Sequence, residues 1–193
     1  DECFLVWENV PTATIQFYNA GEIIEDVAAS NYTDYLNNYS DGINPVIFDD
    51  DGSIIAKEYG SENVELILGF AGSAYINTNY LEGVAVLNGV VSQYFSYEQF
   101  KATFVHEFGH FIGLDHCQIN LRYVADGDTA NDQYVPTMFP TATDDDTTLG
   151  SLNPDDEASV TMLYPAGNVD TYYGTISGYV LRASGLPVLG ANV

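Results

Sequence analysis

Apolar residues repeat at three- and four-residue spacing in one stretch of the chain. Phe100, Phe104, Phe108, Phe111 and Ile112 fall on a single face, the helical period. Just upstream, Ser96-Tyr97-Glu98-Gln99 has the S-x-x-Q form in which two side chains satisfy amides at a helix start. The spacing therefore predicts a helix from Ser96, stopped at Gly113, a residue that tolerates positive φ. A second helix is predicted from Asn153 as N-cap and Pro154 at the first position. Asp155, Asp156 and Glu157 there oppose the positive helix end, and Pro165 ends it after Tyr164. Elsewhere the period is two. Thr12–Tyr18 alternates and predicts a strand; Trp7 before it closes a helix or anchors that strand. Pro45–Phe48 reads as a short strand running into the turn Asp49-Asp50-Asp51-Gly52. Val64–Gly72, Ser73–Asn79 and Val84–Val91 are further strand candidates. Residues 19–45 are polar and predict a loop with one or two short helices, around Ile23, Ile24, Val27, Tyr35 and Leu36. The sequons at Asn31 and Asn38 in this Asn-rich stretch read as chance. The composition shifts at Ala166, and Gly174–Val193 predicts two strands around a Gly/Ser turn. The fold class expected is α+β, with a main domain over 1–166 and a linker with opening β-strands over 167–193.

The composition narrows the function classes. Of 193 residues, 46% are hydrophobic, enough for a packed core, so wholesale disorder is excluded. No apolar run reaches the ~18–20 residues needed to span a bilayer. The first ten residues lack a basic n-region, so an exported protein would have had its leader removed or encoded upstream. Twenty-eight acidic residues stand against four basic ones, a net charge of −24. Phosphate contacts need Lys and Arg, so nucleic-acid binding is excluded, and anionic membrane surfaces are disfavoured. Solubility is the plain reading of this charge; calcium held by Asp clusters, at Asp49–Asp51 and Asp126–Asp132, is the sharper one. Cys3 and Cys117 leave open one disulfide or two free thiols.

All three histidines lie between positions 106 and 116, in His106-Glu107-Phe108-Gly109-His110-Phe111-Ile112-Gly113-Leu114-Asp115-His116. His106 and His110 are four apart and share a helix face, so their imidazoles converge. A break at Gly113 lets His116 return as a third ligand. Three neutral imidazoles with a fourth position open suit one catalytic zinc. Glu107 is rotated about 100° from His106 around the helix. It lies beside the metal without ligating it, placed as general base for a zinc-activated water attacking a carbonyl.

This pattern, with Met138 in Pro136-Thr137-Met138-Phe139-Pro140 beyond it, resembles the signature of the metzincin zinc proteases, and within them the matrixin-like bacterial branch. The resemblance implies a metzincin-type catalytic domain: a mixed twisted sheet, an active-site helix and a C-terminal helix. Met138 would form an apolar floor under the zinc, and Phe139–Ala142 would line the pocket for the side chain after the scissile bond. It implies a secreted or cell-surface endopeptidase acting on proteins or peptides, without membrane insertion, and an N-terminal part lying upstream of this chain. It also raises a Cys3–Cys117 pairing, since the first helix of such folds packs behind the active-site helix. The tail resembles the first strands of a carboxypeptidase-regulatory-like β-sandwich module. Three departures stand out. The Met lies 22 residues beyond His116, further than matrixins place it. Pro140 stands where some relatives carry a ligand Tyr. No histidines remain for a structural zinc. The alternative reading is a non-catalytic structural or adhesive surface protein on the same fold; an intact Glu107 argues against it.

Overall fold

The computed structural model describes residues 1–118, 124–141 and 150–190. The chain is mixed α+β. Its helices are α1 (Glu2–Glu8), α2 (Tyr32–Leu36), α3 (Ser53–Tyr59), α4 (Tyr97–Phe111), α5 (Pro154–Leu163) and α6 (Val169–Tyr172). Its strands are β1 (Val46–Asp49), β2 (Gly69–Ile76) and β3 (Asn79–Asn88), in the order β1-β3-β2. β1 runs parallel to β3, with Val46 opposite Ala85. β2 runs antiparallel to it, from Gly69 opposite Leu87 to Ile76 opposite Asn79.

β3 is central and buried on both faces, which is why Val84–Leu87 is continuously apolar. Successive side chains point to opposite faces. Ala85 joins the larger core with Trp7, Val105, Phe108, Phe111, Met138 and Val160. Val86 faces the other way, to Tyr32, Ile47 and Ile54. The larger core binds α1 to α4. Phe4 stacks on Phe108 with ring centroids 3.7 Å apart, and the buried Trp7 donates from Nε1 to Val105 O at 2.9 Å. Both predicted helices form as expected. Ser96 and Gln99 make the reciprocal capping box of α4; Asn153 and Asp156 make that of α5.

Several expectations are corrected. Thr12–Tyr18 joins no strand. Ala13 makes a single bridge to Pro165, flanked by Thr14 N to Tyr164 O and Ala166 N to Thr12 O. The alternation is satisfied by packing instead: Ile15 and Phe17 cover the core. The apolar run from Val64 starts its ladder only at Gly69. The Asn88 amide donates to Val64 O and Ile67 O, both at 2.7 Å, and occupies carbonyls a ladder would use. From there Gly69–Ile76 is one strand, and Asn79–Asn88 is its hairpin partner across Asn77-Thr78, with Asn77 at φ 58°. A bulge lies at Ala74/Tyr75. α3 is an addition: the buried Asp49 carboxylate accepts from Ile54 N (3.1 Å) and Ile55 N (2.9 Å) and anchors its first turn. Around Ile24, which is fully exposed, no helix forms; α2 begins later, at Tyr32. In the tail, Leu181 bridges Pro187 around Gly185 at φ 81°, with no named strands and Ile176, Tyr179 and Leu189 in solvent. That is a hairpin-like turn, and no second sheet layer packs on it among the described residues. No described helix is long and apolar enough to cross a membrane.

Candidate metal centre

The site is built on α4 and the turn that ends it. Gly113 has φ 101°, the left-handed region that favours glycine, and a Cβ there would fall on the Tyr75 hydroxyl. This turn reverses the chain and returns His116 to the helix face carrying His106 and His110. His116 Nε2 lies 3.1 Å from His110 Nε2 and 3.3 Å from His106 Nε2. Among the described residues these three form the group of His, Cys, Asp or Glu side chains whose ligand atoms meet.

Two of the rings are held from behind by backbone carbonyls. His106 Nδ1 is 2.6 Å from Thr137 O, and His110 Nδ1 is 2.8 Å from Leu114 O. A carbonyl only accepts, so each Nδ1 carries the proton and each Nε2 presents its lone pair to the centre. Burial favours the neutral rings as well: it pushes His110 down and His106 down to about 4. At these separations the rings are joined either by a proton on His116 Nε2 or by a shared cation. The separations match the about 3.3–3.4 Å edge of a tetrahedron with 2.0–2.1 Å zinc–nitrogen bonds. The donor set therefore fits zinc, and His116 keeps one side of the cluster open to solvent.

Thr137 O is fixed by the segment predicted as a Met-turn. Phe139 N closes it on Pro136 O at 3.0 Å. The buried Asp156 carboxylate at the start of α5 accepts from Thr137 N (2.9 Å), Met138 N (3.0 Å) and Asn153 N (2.9 Å). Burial pushes this carboxyl up, and its three amide donors pull the other way. Met138 O in turn accepts from Cys117 N at 2.9 Å, one residue beyond His116. One short turn thus braces α4, the third histidine and α5. Met138 is buried beneath α4 against Gly109, where a Cβ would overlap its sulfur and lie 2.9 Å from Trp7 Cζ2.

Glu107 is buried against the start of β2. Its Cγ and Oε1 would stand 3.2 and 3.4 Å from a Cβ on Gly69, so the missing side chain there makes its niche. Its Oε2 has no hydrogen-bond partner, and burial pushes the carboxyl up to about 8.

The structure thus brings His106, His110 and His116 together, while Met138 packs beneath α4 at Gly109. Cys117 is not among them; its thiol packs against the core, burial raises it to about 11, and both cysteines are free rather than paired. Asp49 and Asp51 accept backbone amides, and Asp126 accepts from Asp128 N and Asn131 Nδ2. Phe139 is buried in the turn, while Ala142 lies outside the described residues. Asp156 was legible only as a helix-start acid, and its grip on residues 137 and 138 had no local signal. Comparison of the chain with family models, curated proteins and solved structures finds no match.

Proposed function

We propose that the chain is a zinc-dependent endopeptidase of metzincin type, secreted or displayed at a cell surface, acting on proteins or peptides. One observation carries the reading: the Nε2 atoms of three histidines converge, His116 at 3.1 and 3.3 Å from the other two, beside a helical Glu107 that is buried with an unpartnered oxygen. His106, His110 and His116 would hold the ion. Zinc so bound supplies a polarised carbonyl and a water of pKa near ~7.

The chain's own residues supply the rest. Glu107 takes a proton at its free carboxylate oxygen and returns it to the leaving amine. Its burial keeps the proton affinity close to neutral pH, where such a group works in both directions. A cation beside it lowers that affinity and favours the base form. β2 is an edge strand beginning beside Glu107. Its outer backbone groups offer an extended peptide a ladder to join.

The test is zinc content together with casein cleavage, on the full chain and on Glu107→Gln. The reading expects about one zinc per chain in both proteins. It expects the variant to lose ~10²–10⁴-fold in rate, the usual contribution of a general base. A zinc-loaded wild type that cleaves neither casein nor gelatin overturns the endopeptidase reading and leaves a non-catalytic metal protein.

A further inference from the structure

Among the described residues, the end of α4 leaves three successive carbonyls without an amide partner. The amides of Ile112, Gly113 and Leu114 bond back to Phe108 O, His110 O and Gly109 O. Phe111 O, Ile112 O and Gly113 O remain, and helix ends commonly turn such groups to water or a basic side chain. Here each meets a phenol. Tyr80 Oη donates to Phe111 O at 3.0 Å, Tyr164 Oη to Ile112 O at 2.6 Å and Tyr75 Oη to Gly113 O at 3.2 Å. The phenols come from β3, the residue after α5, and β2. Burial raises Tyr80 strongly and Tyr164 to about 12, so both keep their protons at any ordinary pH.

The surroundings are shaped to this docking. The bulge at Ala74/Tyr75 lies where a strand would need to re-aim a side chain. Ser73 Oγ supports the Tyr75 hydroxyl at 3.0 Å. A Cβ on Gly113 would strike the Tyr75 hydroxyl, and one on Gly83 would strike both Phe111 O and the Tyr80 hydroxyl. The held carbonyls belong to the segment joining His110 to His116. The next carbonyl, Leu114 O, is the partner of His110 Nδ1.

We propose that Tyr75, Tyr80 and Tyr164 are positioning residues for the metal centre, fixing through Phe111 O, Ile112 O and Gly113 O the turn that aligns His110 and His116. This rests on the metal-centre reading above. It makes the hairpin β2–β3 and the end of α5 part of the metal site without any ligand coming from them.

The experiment is zinc affinity by competition with a chromophoric chelator, on the full chain. Single variants Tyr75→Phe, Tyr80→Phe and Tyr164→Phe each remove one hydroxyl. Tyr32→Phe is the control, since its hydroxyl bonds Glu58 on the far side of the sheet. We expect each of the three to bind zinc about tenfold more weakly, the lower end for losing an outer-shell partner. Tyr32→Phe should keep wild-type affinity even where its melting temperature falls as much. Unchanged affinity in the three variants, or an equal loss in the control, overturns the proposal. If Tyr80→Phe or Tyr164→Phe does not fold, Tyr75→Phe decides, because Tyr75 is 46% exposed and its loss is mild for the fold. A wild type that takes up no zinc overturns both readings; a wild type that binds with unaffected variants overturns this one alone.

Discussion

Asp156→Ala tests how the site is braced. The carboxylate is 1% exposed and accepts three backbone amides: Thr137 N, Met138 N and Asn153 N. Alanine removes the carboxylate that accepts from all three. An orphaned buried donor costs about 1–3 kcal/mol. The Asn153 amide is only partly buried and recovers water, so about two full penalties apply, or about 2–6 kcal/mol. Asp156→Asn keeps one oxygen. The pair Thr137 N and Asn153 N share Oδ2, while Met138 N uses Oδ1. An amide group therefore keeps at best two donors and turns its own N–H toward the third, a loss of about 1–3 kcal/mol. Urea unfolding in excess chelator measures this, as a lower midpoint at unchanged slope. Loosening the turn also frees Thr137 O, so His106 loses its orientation and zinc affinity falls ~10–100-fold. A stability loss below about 1 kcal/mol for Asp156→Ala would refute the hydrogen-bond argument. Unchanged zinc affinity in a clearly destabilised variant would refute the brace.

Two further outcomes follow from burial and packing. Glu107 has a folded-state pKa raised to about 8 by burial, so its neutral form favours the fold. Its contribution is complete below about pH 4.5 and is lost as pH rises to about 8, a few kcal/mol at ~1.4 kcal/mol per unit. Chelator-treated Glu107→Gln should lack that decline and be more stable than wild type at pH 8 and above; parallel pH–stability curves would sink the idea. Gly109→Ala puts a methyl group into the Met138 sulfur and against Trp7. It should cost about 1–3 kcal/mol in thermal or urea unfolding by overpacking, and a variant as stable as wild type would mean that Met138 repacks freely.

What the sequence revealed is what local chemistry determines. The capping box at Ser96, the Phe stripe, Gly113 and the Asn153-Pro154 start are short-range devices, and α4 and α5 form where these predict. The clustering of the three histidines was legible for the same reason, since a helix period and one glycine turn set their convergence. The sheet was not, because its decisions are made at distance. Asn88 interrupts the run from Val64 by taking its carbonyls from 21 and 24 residues away. The hairpin turns on Asn77-Thr78, a weak signal inside an otherwise extended stretch. α3 is seven residues long and starts after Gly52 at φ 71°, so its sequence reads as a turn; the Asp49 carboxylate makes it a helix. Thr12–Tyr18 has the right alternation, yet its partner is the exit of α5 rather than a strand.

The buried acids show how function separates from structure in so acidic a chain. Asp49 gives both oxygens to the amides of α3, and Asp156 gives both to the Met138 turn and α5. A carboxylate whose oxygens are taken up by two or three amides serves as a fixed joint. Glu82 is half provided for, with Oε1 on Gly42 N and Oε2 unpartnered. Glu107 also has an unpartnered Oε2, no amide donor among the described residues on either oxygen, and follows His106 of the histidine cluster in the chain. Burying it that way destabilises the anion, and no described residue offsets this. A residue that only filled space would do so better as Leu or Gln. On the metalloprotease reading proposed above, a cation held by the three imidazoles would supply the charge missing from Glu107's surroundings. The same carboxyl that weakens the apo fold above neutral pH becomes the group with most to gain from the bound ion.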